Sequence, residues 1–155
     1  MQDTPPKTDQ SIIPHLTVEG AGEAMTFYER AFGAEPLYRQ EMPDGSGRLI
    51  HASMRIGNSL LMLVDHFPEM GTCSPRSVDG APLSIHLNVA DCDALVARAK
   101  DAGCEVVMEP QDMFWGDRFA QLKCPYGHVW SIGSHVRDVT PEEMEAAMKE
   151  MFACG

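Results

Sequence analysis

Three histidines occupy strand-like stretches in which apolar and polar residues alternate. His86 lies in LSIHLNVA (83–90), where Leu83, Ile85, Leu87 and Val89 alternate with Ser84, His86 and Asn88. His15 precedes Thr17 in His15-Leu-Thr-Val18, and His51 and Ser53 alternate with Ile50, Ala52 and Met54 inside 48–56. An imidazole titrates near neutrality, so it can move a proton, hydrogen-bond a polar ligand or ligate a metal. Strand parity puts the apolar partners on a covered face and His15, Thr17, His51, Ser53, Ser84, His86, Asn88 and Gln121 on the other. These groups are short and mostly uncharged, which suits the lining of a polar cleft.

Phe114-Trp115-Gly116-Asp117-Arg118 leads into another strand. Trp115 could wall an aromatic pocket there and Arg118 could meet an anionic group. The plainer alternative makes Trp115 core and pairs Asp117 with Arg118. Trp130 has the parity of a covered, helix-side residue. Three imidazoles could also gather a divalent ion, yet no carboxylate is clearly placed beside them and they lack HxxxH-like spacing. No metal ligand is therefore assigned and no cofactor is expected. GxSxG, P-loop, HExxH and GxGxxG motifs are absent.

The elements that carry these residues come in two copies. His15-Leu-Thr-Val18 recurs as His86-Leu-Asn-Val89, Phe32-Gly-Ala-Glu35 as Ala102-Gly-Cys-Glu105, and the Arg48/Gly57 spacing as Arg118/Gly127, all offset by about seventy residues. Each copy reads βαβββ. In the first, a strand over 12–18 leads to a helix with Ala24, Phe27, Tyr28, Ala31 and Phe32 on one face, closed by Gly33. Strands at about 35–42, 48–56 and 59–65 follow, the last two joined at Gly57-Asn58. In the second, a strand over 83–89 leads to a helix capped by Asp91, with Leu95, Ala99 and Ala102 as its apolar stripe and Gly103 at its end. Strands at 105–109, 118–124 and 128–134 follow, the last two joined through Pro125-Tyr-Gly127.

This pattern predicts an α+β fold: two βαβββ modules making a curved eight-stranded mixed sheet around a cleft. The expected limits are a disordered tail over 1–11, one domain over 12–137 (modules at about 12–75 and 82–137) and a C-terminal helix within 138–155. Thr140-Pro-Glu-Glu143 is a helix start with a capping box. Its stripe of Met144, Met148, Met151 and Phe152 must pack on its own domain or on a second subunit.

Bulk properties narrow the partners. The 155 residues carry a net charge of −11, which repels phosphate backbones and acidic membranes, so neither nucleic acid nor membrane is expected. No apolar run is long enough to span a bilayer. The polar MQDTPPKTDQ start is unlike a signal or transit peptide, and a cytoplasmic location is expected. Five scattered cysteines without a CxxC pair read as reduced thiols.

The chain resembles the vicinal-oxygen-chelate superfamily of glyoxalase I, bleomycin-resistance proteins and extradiol dioxygenases, and its PhnB-like branch in particular. MTFYERAFGAE (25–35), GRLIHASMRIGNSLLMLVD (47–65), SIHLNVADCDALVARAKDAGCEV (84–106), FWGDRFA (114–120) and PYGHVWSIGSH (125–135) carry the resemblance. It implies eight strands around a cavity and a homodimer. It also implies metal ligands at Ile13, Ser84, Leu61 or Met62, and Ser131, none of which is a usual ligand. The leading expectation is a small-molecule binder without the usual metal site. The alternatives are a metal-dependent lyase or dioxygenase using a displaced site on His15, His51 and His86, and an interaction module with no ligand.

Overall fold

The computed structural model describes residues 1–10, 13–70, 72–77 and 83–153. The first module comprises β1 (His15–Val18), α1 (Ala21–Phe32), β2 (Glu35–Glu41), β3 (Leu49–Ile56) and β4 (Ser59–Asp65). The second comprises β5 (Ser84–Asn88), α2 (Cys92–Ala102), β6 (Glu105–Asp112), β7 (Asp117–Lys123) and β8 (Val129–His135), and α3 (Pro141–Ala153) follows. The fold is α+β, two βαβββ units and a C-terminal helix, as the repeat predicts. Its eight strands form two four-stranded sheets, ordered β1-β4-β3-β2 and β5-β8-β7-β6. The β1–β4 and β5–β8 pairs are parallel and the other pairs antiparallel.

β1 is shorter than the alternation suggests. Pro14, which has no N–H to give a ladder, precedes it, and Ile12 lies outside the described residues. β6 runs on to Asp112, past the expected 109, by way of two register irregularities.

The helices form where periodicity and caps agree. Ala24, Phe27, Tyr28, Ala31 and Phe32 of α1 are all buried, and Gly33 closes the helix at φ 65° with its amide donating to the Glu29 carbonyl. No side chain local to Gly20 caps the other end. Asp65, at the end of β4, serves instead: its Oδ1 accepts from the amides of Gly20 and Ala21, and its Oδ2 from that of Leu49. One buried carboxylate thus fixes where helix, strand and sheet meet.

In α2, Asp91 Oδ1 accepts from the Ala94 amide at 3.0 Å, the expected cap. Its buried face is Cys92, Val96 and Ala99. The stripe is therefore rotated from the expected Leu95, Ala99 and Ala102, and Leu95 is left half-buried.

The modules share one core. The Phe32 ring of α1 lies 4.4 Å from Trp130 of β8, and Tyr28 packs on the same indole at 5.5 Å. Trp130 is completely buried, on the helix side as its parity predicts. Across the helix pair, the Arg98 guanidinium of α2 donates to the carbonyls of Arg30 and Glu29 at the end of α1.

At the N-terminus, the Gln2 amide donates to the Leu37 carbonyl, and the Gln10 carboxamide oxygen accepts from the Leu60 amide. At the other end, α3 opens with the expected box. Glu143 N–H donates to Thr140 Oγ1 and Thr140 N–H to Glu143 Oε2. α3 makes no extensive contact with any described strand or helix, and Met148 and Met151 are exposed. The Phe152 side chain lies outside the description. No described helix is long and apolar enough to cross a membrane.

Candidate functional site

Each sheet turns one face to its helix and leaves one face uncovered. On the first sheet the uncovered face gathers His15, Thr17, His51 and Ser53. Register adds Met62, which is the partner of both His15 on β1 and Ser53 on β3, and Tyr38, which is opposite Ser53 on β2. The His15 and His51 ring centroids are 6.0 Å apart and nearly perpendicular. His51 Nε2 hydrogen-bonds Ser53 Oγ at 3.2 Å, and Ser53 is wholly buried. Burial lowers the pKa of both imidazoles. The Leu63 carbonyl opposes the shift at His15, and the charge of His15 adds to it at His51.

The second sheet carries a second group. The carboxamide oxygen of Asn88 accepts from His86 Nε2 at 3.1 Å, and Ser131 Oγ meets His86 Nδ1 at 2.7 Å. With Nε2 donating, a neutral imidazole accepts the Ser131 proton through Nδ1. The Phe119 ring lies nearly parallel to His86 at 6.2 Å, and Trp115 stands edge-on to Phe119 at 5.4 Å. Ser84 precedes His86 on the same face, and Gln121 is the register partner of Ser131.

The expected residues therefore divide by module. His15, Thr17, His51 and Ser53 belong to one group, and Ser84, His86, Asn88, Trp115 and Gln121 to the other. Arg118 stands apart from both. It pairs in register with Ser134, on the helix side, and its guanidinium is held by Asp93 of α2 and Asp112 of β6. Sequence reading missed Tyr38, Ser131 as a partner of His86, and Gly133. Parity along β2 and β8 contained the first two. Gly133 shows only when the His86 ring is placed over it.

A cavity of about 550 Å³ opens between the modules. The β3–β4 hairpin and Phe32 supply one side, and β5, Leu95 and Trp130 supply the other. Ile85, Leu87 and Val89 lie half-buried along β5, because an edge strand has no neighbour to cover them. His86 and Asn88 reach the same cavity and give it a polar rim. The indole Nε1 of Trp130 has no hydrogen-bond partner among the described residues.

Among the described residues, no three His, Cys, Asp or Glu side chains converge as an ion would require. The side chains at positions 13, 61, 62, 84 and 131 are Ile, Leu, Met, Ser and Ser, which supply neither imidazole nor carboxylate.

The model of the Glyoxalase/Bleomycin resistance protein/Dioxygenase superfamily matches residues 12–132. The uncharacterized protein Mb0911c of Mycobacterium bovis is 43% identical over 143 residues, covering 90% of this chain and 93% of its own. Among solved structures, TioX from Micromonospora sp. ML1 is similar with a TM-score of 0.63 and 25% identity, over 82% of this chain and 99% of its own. The PhnB protein from Bacillus cereus shares the fold with a TM-score of 0.63 and 19% identity, over 81% of this chain and 99% of its own.

Proposed function

The chain belongs to the Glyoxalase/Bleomycin resistance protein/Dioxygenase superfamily, and from that premise we propose that it is a PhnB-like binder of a small molecule seated between its two modules. The inter-module cavity carries this reading. Its volume of about 550 Å³ lies in the range of sites for compact organic ligands, roughly 300–1,000 Å³. Its walls suit a flat apolar body, and His86 and Asn88 suit a polar substituent at one end. A hydrogen-bond acceptor buried against Trp130 would satisfy the indole N–H.

Binding here uses no divalent ion. The side chains at the family's ligand positions do not fit one, and among the described residues no three His, Cys, Asp or Glu side chains, His15, His51 and His86 included, converge on one point. The reading includes a homodimer, because the outer edges of β1 and β5 are both unpaired and a second copy could cover them.

A thermal-shift screen of tag-free, chelator-treated protein tests the proposal. A binding compound is expected to raise Tm in a saturable way, and His86→Ala should weaken that response at least tenfold. Absence of any stabilising compound, or equal stabilisation of the His86→Ala variant, would overturn it. Light scattering should give twice the mass of the chain.

A further inference from the structure

We propose that Ser131, His86 and Asn88 act as nucleophile, base and positioning group in the hydrolysis of neutral aryl esters on the uncovered face of the second sheet. The reaction does not depend on a ligand in the inter-module cavity, which neither Ser131 nor Gln121 lines.

Parallel pairing of β5 with β8 assembles the three. His86 is the register partner of Ser131, and Asn88 of Gly133, the next residue on the same face of β8. Ser131 Oγ lies 2.7 Å from His86 Nδ1, and Asn88 Oδ1 lies 3.1 Å from Nε2. The asparagine oxygen keeps the proton on Nε2, which leaves the Nδ1 lone pair for the Ser131 hydroxyl. A hydroxyl on one imidazole nitrogen and a fixed acceptor on the other is the arrangement that activates a serine. Cys-His-Asn proteases likewise use an amide in the third place. The His86 ring reaches past Ser131 over Gly133, so it flanks the hydroxyl.

A purely structural hydrogen bond needs neither an acceptor on the far nitrogen nor a spare donor beside the serine. Both are present. Gln121 stands opposite Ser131 on β7, its Cβ about 5 Å away, and its carboxamide has no hydrogen-bond partner among the described residues. It can give an N–H to a carbonyl oxygen as charge develops there. Phe119, nearly parallel to the His86 ring, and Trp115 beside it supply an apolar wall for an aryl group. The net charge of −11 favours neutral over anionic esters.

In the first step Ser131 Oγ attacks the ester carbonyl carbon while its proton passes to His86 Nδ1. The bond from that carbon to the aryl oxygen breaks, and His86 gives the proton to the departing oxygen. A phenol leaves, and Ser131 carries the acyl group. Water then attacks the acyl carbon as one of its protons moves to Nδ1. The acid is released when Ser131 Oγ takes that proton back.

The test uses full-length protein with diisopropyl fluorophosphate and phenyl acetate as probes, and no cavity ligand is added. The fluorophosphate should place one diisopropylphosphoryl group on Ser131, located by peptide mass spectrometry, with release of fluoride. Phenyl acetate hydrolysis should fall roughly a hundredfold or more in Ser131→Ala and in His86→Ala. Asn88→Ala should lower kcat about tenfold at unchanged KM, which a loss of fold would not do. Ser131→Cys keeps the shape and a nucleophile. Iodoacetamide should alkylate its new thiol faster than that of the Ser131→Cys, His86→Ala double variant. Absence of label on Ser131, unchanged hydrolysis by Ser131→Ala, or equal alkylation with and without His86 would overturn the assignment.

Discussion

The His86 ring lies across the backbone of Gly133, close enough that a Cβ on Gly133 would stand 3.0 Å from Cε1 and 3.1 Å from Nε2. Gly133 therefore provides room rather than backbone freedom, since its φ is not in the left-handed region. The ring is held there by Ser131 and Asn88. Gly133→Ala should displace it and break one or both hydrogen bonds. Because His86 is exposed and can rotate away, the cost to stability should stay within about 1 kcal/mol. Imidazole chemical shifts should move toward those of a free histidine while urea unfolding stays nearly unchanged. Retention of the native His86 shifts would contradict this account.

The Arg98 contact ties the modules through their helices. Its guanidinium satisfies two carbonyls at the end of α1 and places a cation at the negative end of that helix. Arg98→Ala should cost about 1–2 kcal/mol, as loss of charge-assisted hydrogen bonds does. Arg98→Lys should recover only part, because an ammonium cannot match the planar fork. Urea denaturation of the three proteins checks both statements.

His128 gives the protein a dependence on acid. It is buried, its Nδ1 has no partner among the described residues, and burial pushes its pKa down to about 4. The unfolded chain, with an ordinary pKa near 6.5, binds the proton first as pH falls. Stability from the neutral buried ring is fully present above pH 6.5 and is lost as pH drops through about 4, up to about 3 kcal/mol. Carboxylates titrate in the same window, so the comparison is with His128→Leu. The variant's stability curve should be flatter between pH 6.5 and 4. Parallel curves would contradict the burial argument.

The repeat, the caps and the parity of the strands were legible because they are local: Gly33, Asp91 and Thr140 act within a few residues of themselves. The alternation around His86 likewise put Ser84 and Asn88 on the His86 face, and that of 118–124 put Gln121 opposite Ala120 and Leu122. What escaped the sequence depends on contacts far along the chain. Asp65 caps a helix that begins 44 residues earlier, and Asp93 claims Arg118 from 25 residues away. The face α2 buries, Cys92, Val96 and Ala99, leaves Leu95 half-buried, and the repeat within one module did not show that rotation. The apolar character of the cavity was hidden for a related reason. Ile85, Leu87 and Val89 read as core, and only their position on an edge strand leaves them open.

Calorimetric titration of the strongest compound from the thermal-shift screen into wild-type protein and Leu87→Trp is the most direct measurement. The indole would fill the cavity from β5 while pointing away from the His86 face. The account predicts that Leu87→Trp keeps its fold and loses at least a hundredfold in affinity. Undiminished binding by a folded Leu87→Trp protein would place the ligand elsewhere and contradict the proposal.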